Sequence, residues 1–226
     1  MPKVRTYKDM EVELIRHTPN PGAIVRHALN TTMKKADRFD PGGTVSSETL
    51  AFLLRANHGS ILEHVSFTFL IKGVSRAFLA QITRHRMASY TSASQHYQDY
   101  RDYPMVVSRV NAEMQLELDA IAEVYTHFVD DLGMKPEEAR MILPNAACVN
   151  LIWTINARSF ANFVSQRGCK RNVEEMYIFT VKAANIVEAI WLEYARVLGP
   201  ECYTLGQCLQ GKMSCGKPYP RSQYAV

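Results

Sequence analysis

"HVSFTFLIKG", residues 64–73, is the stretch that decides the fold class. Val65, Phe67, Phe69 and Ile71 fall on one side of an extended chain, and the β-branched and aromatic content suits a strand with a buried face. Gly73 is expected to end it, and "VSRAFLAQITRHR", residues 74–86, to continue as a helix. Upstream, "VRTYKDMEVELIRHTP" (4–19) has the short apolar alternation of an edge strand. Residues 21–36 and 47–56 read as helices, the second capped by Ser46 or Ser47, with Leu50, Leu53 and Leu54 on one face.

Downstream, a helix is expected over 108–132, because Met114, Leu118, Ile121, Tyr125, Phe128 and Leu132 step by four and three. "RMILPNAACVNLIWTIN" (140–156) reads as a buried extended segment, and "ARSFANFVSQR" (157–167) as a short helix. A last long helix is expected over 173–198, turning Val173, Met176, Tyr177, Ala184, Val187, Ile190, Trp191 and Tyr194 inward and stopped by Gly199-Pro200. The Gly- and Pro-rich tail, 202–220, is expected to be irregular. With no repeat and no linker, one α+β domain over 1–226 is the simplest organisation.

The chain has 226 residues, 47% hydrophobic and 21% charged, with a net charge of +4. That is a globular balance whose modest positive charge permits an anion pocket but argues against a duplex-binding surface. "MPKVRTYKDMEVELIRHT" lacks the apolar core of an export signal, and no apolar run is long enough to span a bilayer. Five cysteines, an odd number, argue against a disulfide framework and for a cytoplasmic protein with reduced thiols.

GxGxxG, GxxxxGK[ST] and GxSxG are all absent, which removes the common nucleotide loops and the esterase serine. Cys202, Cys208 and Cys215 lack the knuckle spacing of a zinc site. His58, His64, His85 and His96 are candidate metal ligands, but Arg76, Arg84 and Arg86 would repel a cation and suit an anion instead. "RHRMASYTSASQHY", residues 84–97, follows two guanidiniums with a run of hydroxyls suited to a phosphate or a uracil-like edge. A second polar group, Asn156, Arg158, Asn162 and Arg167, interleaves with Ala157, Phe160, Ala161, Phe163 and Val164. Polar residues within so apolar a segment point to a bound polar ligand.

RHR, seven residues and then Ser94 resembles the RHR-x7-S signature of flavin-dependent thymidylate synthases. "NHGSILEHVSFTF" (57–69), "GVSRAFLAQITRHRMASYTSASQHY" (73–97), "ARMILP" (139–144), "WTINARSFANF" (153–163) and "GKMSCGKP" (211–218) match the family in order, so the resemblance covers most of the chain. It implies a mixed, largely antiparallel sheet flanked by helices, in a homotetramer with active sites at subunit junctions. It also implies FAD as cofactor, with NADPH and methylenetetrahydrofolate as co-substrates, and methylation at C5 of the uracil ring without an enzyme thiol.

Carried over residue by residue, the resemblance assigns Ser60, Arg84, His85, Arg86, Ser92, Asn156, Arg158 and Asn162 to FAD. It assigns Gln81, Arg84, Ser92, Ala93, Ser94, Gln95, His96, Arg140 and Arg167 to the nucleotide. Arg167 matches the arginine that favours ionisation of the pyrimidine, and His58 a histidine near the flavin that orients folate or relays a proton. Ser94 is expected to bind rather than attack, because a serine nucleophile needs an adjacent base. The chain departs from the family at Ser92, usually Glu or Gln, at Ala93, usually a larger residue, and at His96, usually Arg. Smaller side chains leave room near the sugar, so UMP is expected beside dUMP. The competing expectation is a non-catalytic nucleotide- or RNA-binding module that uses the basic loop. No metal, no nucleic-acid partner and no membrane are expected for the enzyme.

Overall fold

The computed structural model describes residues 4–33, 35, 38–101 and 103–220. Positions 34 and 36, in the expected 21–36 helix, lie outside the described residues. Contacts cluster in two compact units. One takes in the chain up to Glu13 and again Leu70–Trp153; the other takes in Leu14–Phe69 and the chain from Thr154 onward.

The opening segment forms two strands rather than one: β1 (Val4–Thr6) and β2 (Glu11–His17). A tight turn divides them, because the Asp9 carboxylate accepts the Thr6 N–H at 2.7 Å and the Thr6 hydroxyl at 2.9 Å. Helices α1 (Pro21–Thr32) and α2 (Ser47–Arg55) follow. The Ser46 hydroxyl caps α2 by accepting the Thr49 N–H, and Leu50 and Leu53 are buried as expected. Next come β3 (Ser66–Ser75), α3 (Arg76–Ile82), β4 (Ala88–Ser92) and β5 (Met105–Val107). Val65, Phe67, Phe69 and Ile71 are all fully buried.

Gly73 does not end β3; the strand runs on to Ser75. Its φ of +73° bends the chain, and its N–H donates to Asn150 Oδ1 at 2.9 Å. That left-handed φ is what favours glycine here, and a Cβ would also crowd the flexible Arg5 guanidinium, whose carbon would lie at 3.0 Å. The helix after it stops at Ile82, which leaves the RHR residues in a turn rather than in a helix.

The rest of the chain forms α4 (Ala112–Asp130), α5 (Pro136–Ala139), β6 (Cys148–Asn156), α6 (Ala157–Arg167), α7 (Glu174–Ile190), α8 (Leu192–Ala195) and α9 (Glu201–Thr204). Asn111 caps α4 at 2.8 Å from the Met114 N–H, so the helix starts later than 108. Leu118 and Tyr125 are buried as the stripe requires, but Leu132 lies beyond the helix and is exposed. The 140–156 segment is extended only from Cys148, because a turn from the Pro144 carbonyl to the Ala147 N–H precedes it. The last helix breaks at Trp191, whose φ of −150° is not helical; the buried ring stacks on Tyr194 at 4.6 Å. Val173 is exposed, and the buried stripe of α7 is Met176, Phe179, Thr180, Ala183 and Val187 rather than Tyr177, Ala184 and Ile190.

β2, β3, β6 and β4 hydrogen-bond in that order in a four-stranded sheet, while β1 pairs in parallel with β5. The Ala157 N–H meets the Val65 carbonyl at 2.8 Å, and the Thr68 and Thr154 hydroxyls meet at 3.0 Å. Numbering rises along β3 as it falls along β6, so that pair is antiparallel. The first unit has cores around Tyr100 and Tyr125 and around Met105, Leu118 and Ala122. The core of the second is aromatic: Phe160 lies 5.5 Å from Phe67, 6.0 Å from Phe69 and 6.4 Å from Phe163 between ring centres. Among the described residues no helix is long and apolar enough to cross a membrane.

Candidate active site

In the first unit the residues of interest hang from the C-terminal end of α3. Ser75 caps that helix by accepting the Phe78 N–H at 3.0 Å. The chain leaves it in tight turns, with the Arg84 N–H on the Gln81 carbonyl and the His85 N–H on the Ile82 carbonyl. The Tyr90 hydroxyl then sits 2.8 Å from the Ile82 carbonyl and 2.7 Å from that of His85, pinning the turn from β4. Burial pushes the Tyr90 phenol up from its ordinary range. Arg84 and Arg86 are exposed, His85 is half-buried, and among the described residues neither arginine has an ion-pair partner.

β4 carries the chain on to Ser92, and the Ala93 N–H donates to the Asn150 carbonyl at 3.1 Å. Asn150 therefore holds two neighbours of β6, Gly73 with its side chain and Ala93 with its backbone. Ser92, Ser94 and His96 are exposed, while Ala93 and Gln95 are half-buried. The His96 N–H donates to the Ser94 hydroxyl oxygen at 3.2 Å, and its Nδ1 lies 2.7 Å from Glu137 Oε2. Arg140, just past α5, donates from Nε to the Glu137 carbonyl at 3.0 Å. His96 and Arg140, far apart in sequence, thus share Glu137 as a neighbour.

In the second unit α6 carries the other set. Asn156 caps it, its Oδ1 accepting the Ser159 N–H at 2.8 Å, and Asn162 Oδ1 accepts from Gln166 Nε2 at 3.1 Å. With both amide oxygens engaged along the helix, each asparagine is left with an NH2 donor. Phe160, Phe163 and Val164 are buried, but Asn162 is exposed and Arg158 half-buried. The polar stripe therefore lies at the surface of α6, not within the core as buried polar groups would.

Arg158 is held from three directions. It forms an ion pair with Glu63 at 2.7 Å and donates to Asn57 Oδ1 at 3.1 Å. Its side chain also lies across Gly59, where a Cβ would come within 2.9 Å of Nε. Asn57 has a left-handed φ of 57°, a conformation that asparagine tolerates. His58 and Ser60, in the turn between Asn57 and Glu63, are exposed, and His58 has its ring 6.2 Å from Phe52. Arg167 ends α6 half-buried, and its carbonyl accepts from Asn172 Nδ2 at 3.1 Å. Among the described residues no group of metal-ligating side chains is placed to hold an ion.

Several positions escape motif reasoning. Asn150 and Glu137 act through contacts distant in sequence, while Tyr90 sits within the 84–97 stretch but reaches back only five and eight residues, to the His85 and Ile82 carbonyls. Gly59 and Glu63 fall inside a quoted motif, yet only the fold shows what they do for Arg158.

Both sets are rich in donors, with guanidiniums, amide NH2 groups and hydroxyls and few free carboxylates. Donors of these kinds, in each set by itself, suit groups such as phosphates and ring carbonyls, which accept.

Comparison with known proteins agrees. The profile of the family described as thymidylate synthase complementing protein matches residues 13–191. A flavin-dependent thymidylate synthase of Geobacter sulfurreducens is 38% identical over 221 residues, covering 92% of this chain and 94% of that one. One from Clostridium tetani is 31% identical over 234 residues, with 92% and 94% covered. Among solved structures, ThyX of Helicobacter pylori with FAD and dUMP aligns with a TM-score of 0.64 at 24% identity, covering 78% of this chain and 92% of that one. The UMP/dUMP methylase PolB of Streptomyces cacaoi, bound with 5-Br dUMP, aligns at 0.69 and 20% identity, covering 85% and 95%. These two share the α+β fold with its largely antiparallel sheet. Family profile and relatives both span most of the sequence, and the chain belongs to the flavin-dependent thymidylate synthase family.

Proposed function

We propose that this chain methylates C5 of a uridine monophosphate, converting dUMP to dTMP and accepting UMP as well. Family membership makes it a flavin-dependent methyltransferase-type enzyme. The observation that carries the reading is the exposed RHR turn, where Arg84 and Arg86 stand without a carboxylate partner among the described residues. A half-buried tyrosine, Tyr90, holds the backbone of this turn through the Ile82 and His85 carbonyls, which supports a preorganised ligand site over a solvated helix end.

Ser60, Arg84, His85, Arg86, Ser92, Asn156, Arg158 and Asn162 would hold FAD. When bound and reduced by NADPH, the flavin supplies the hydride that turns the one-carbon unit of methylenetetrahydrofolate into a methyl group. The protein's own work is to bind and polarise. Gln81, Arg84, Ser92, Ala93, Ser94, Gln95, His96, Arg140 and Arg167 would take the nucleotide. The Arg167 guanidinium would stabilise negative charge on the pyrimidine nitrogen and carbonyl, which makes C5 nucleophilic without attack by a thiol. His58, exposed in its turn, would orient folate or relay a proton. Ala93 and Ser92 are small, which supports room for a 2′-hydroxyl. We further place the enzyme in the cytoplasm, as one catalytic domain in a homotetramer with active sites at subunit junctions.

Purified protein should be yellow, with flavin close to one per chain, and should methylate both dUMP and UMP with methylenetetrahydrofolate and NADPH. Turnover of dUMP alone would remove the open-sugar reading. A colourless protein with salt-dependent RNA affinity would overturn the enzyme and leave a binding module.

A further inference from the structure

Glu137 belongs to neither of the residue sets above, yet it touches two members of the nucleotide set. Its carboxylate lies 2.7 Å from His96 Nδ1, and its carbonyl accepts from Arg140 Nε at 3.0 Å. The base on which it stands is tied by hydrogen bonds and packing. Pro136 opens α5, the Lys135 carbonyl accepts the N–H groups of Glu138 and Ala139, and the Glu138 carboxylate accepts the Lys135 N–H at 3.1 Å. Ala139 is fully buried beside Tyr125, which anchors the short helix in the core.

The His96 ring is mobile by nature: it is exposed, on a loop, and has only two side-chain torsions to restrain it. Here it is caught between Glu137 and the Tyr97 ring, whose centre lies 4.2 Å away edge-on. The His96 backbone is tied too, through its N–H to the Ser94 hydroxyl oxygen, which leaves the Ser94 O–H as a donor. With Nδ1 engaged by Glu137, His96 presents Nε2. With Nε engaged, Arg140 presents its two terminal nitrogens.

We propose that Glu137 is a positioning residue for the nucleotide, its carboxylate holding His96 where the family more usually has an arginine. The inference rests on the nucleotide role given above to His96. Side chains of the pair are 43% and 34% exposed, so as an ion pair it adds little to stability. Its consequence is preorganisation: a loop already ordered loses less freedom when the ligand binds.

The test is calorimetric titration of the FAD-loaded protein with dUMP and with UMP, alongside steady-state kinetics, for wild type, E137Q, E137A, H96A and the double variant. E137A should weaken binding and raise the nucleotide KM by about tenfold, the loss of one charge-assisted contact. The thermal midpoint, flavin content and kcat should stay at wild-type values. E137Q keeps an oxygen that can accept from Nδ1 and should recover most of the affinity. In the H96A background, removing Glu137 should change nothing further, because the carboxylate acts only through His96. Full weakening by E137A in that background, or unaltered binding in E137A, overturns the inference while leaving the enzyme intact. A wild-type protein that binds neither nucleotide overturns the nucleotide role itself, and the inference with it.

Discussion

Gly59→Ala tests how Arg158, the arginine proposed to face the flavin, is placed. A Cβ at this position would lie 2.9 Å from Arg158 Nε, 3.0 Å from Cδ and 3.1 Å from Cγ. Ordinary contact begins near 3.4 Å, so three consecutive atoms must retreat, the nearest by roughly half an ångström. The guanidinium cannot follow without lengthening its 2.7 Å contact to Glu63 or its 3.1 Å bond to Asn57. Arg158 is 41% exposed and Glu63 44%, so losing the ion pair costs only about 0.2–1 kcal/mol. Strain relieved by swinging the arginine into water adds little, so the thermal midpoint should fall by about 2–4 °C for a loss near 1 kcal/mol. Flavin affinity should fall much further. One misplaced charged hydrogen bond is worth about 1.5–3 kcal/mol, which is roughly ten- to a hundredfold in Kd. Flavin absorbance during titration of deflavinated protein, read beside a melting curve, separates the two effects. A Gly59→Ala protein with wild-type flavin affinity would refute the claim that Arg158 must lie across Gly59.

Tyr90→Phe removes the hydroxyl that faces the Ile82 and His85 carbonyls; the RHR amides should exchange with deuterium faster, and flavin affinity should drop by several-fold, about 1 kcal/mol for one net hydrogen bond. Asn156→Ala should cost about 1 kcal/mol of stability through the lost helix cap, whereas Asn156→Asp keeps the cap and should melt like wild type. If Asn156→Asp retains full flavin content, its amide NH2 is not a cofactor contact. The Arg101 hydrogen bond beside Asp99 holds its carboxyl below the usual carboxylate range. A depressed pKa contributes stability that is present above the unfolded value and is lost as pH falls through the folded one. The melting temperature of Asp99→Asn should therefore lie below wild type at neutral pH, and the gap should close in acid.

Much of the fold was legible because its elements carry their own signals. Period-two burial in 64–71 and the 3.6-residue stripe in 157–167 survive into the structure as β3 and α6, since burial of one face is a local pattern. Misreadings fell where a long-range contact overrides that pattern. Gly73 looked like a stop, yet Asn150 accepts its N–H and keeps the strand going. The break at Trp191 is local by contrast: its φ of −150° leaves helical geometry, and its ring stacks on Tyr194 three residues on.

The site divides in the same way. Its candidate members could be named from the motif residues themselves, since guanidiniums, amides and hydroxyls at matching spacing belong to residue types and order. Their geometry was not readable. That Glu63 and Asn57 grip Arg158 and that Glu137 catches His96 depend on residues distant in the chain meeting in space, and that Tyr90 pins the RHR turn depends on how the chain folds back over a few residues. By itself the sequence determined which chemical groups are present and in what order. Only the tertiary structure decided which of them are held and by what, because a hydrogen bond acts over about 3 Å and takes no account of sequence separation.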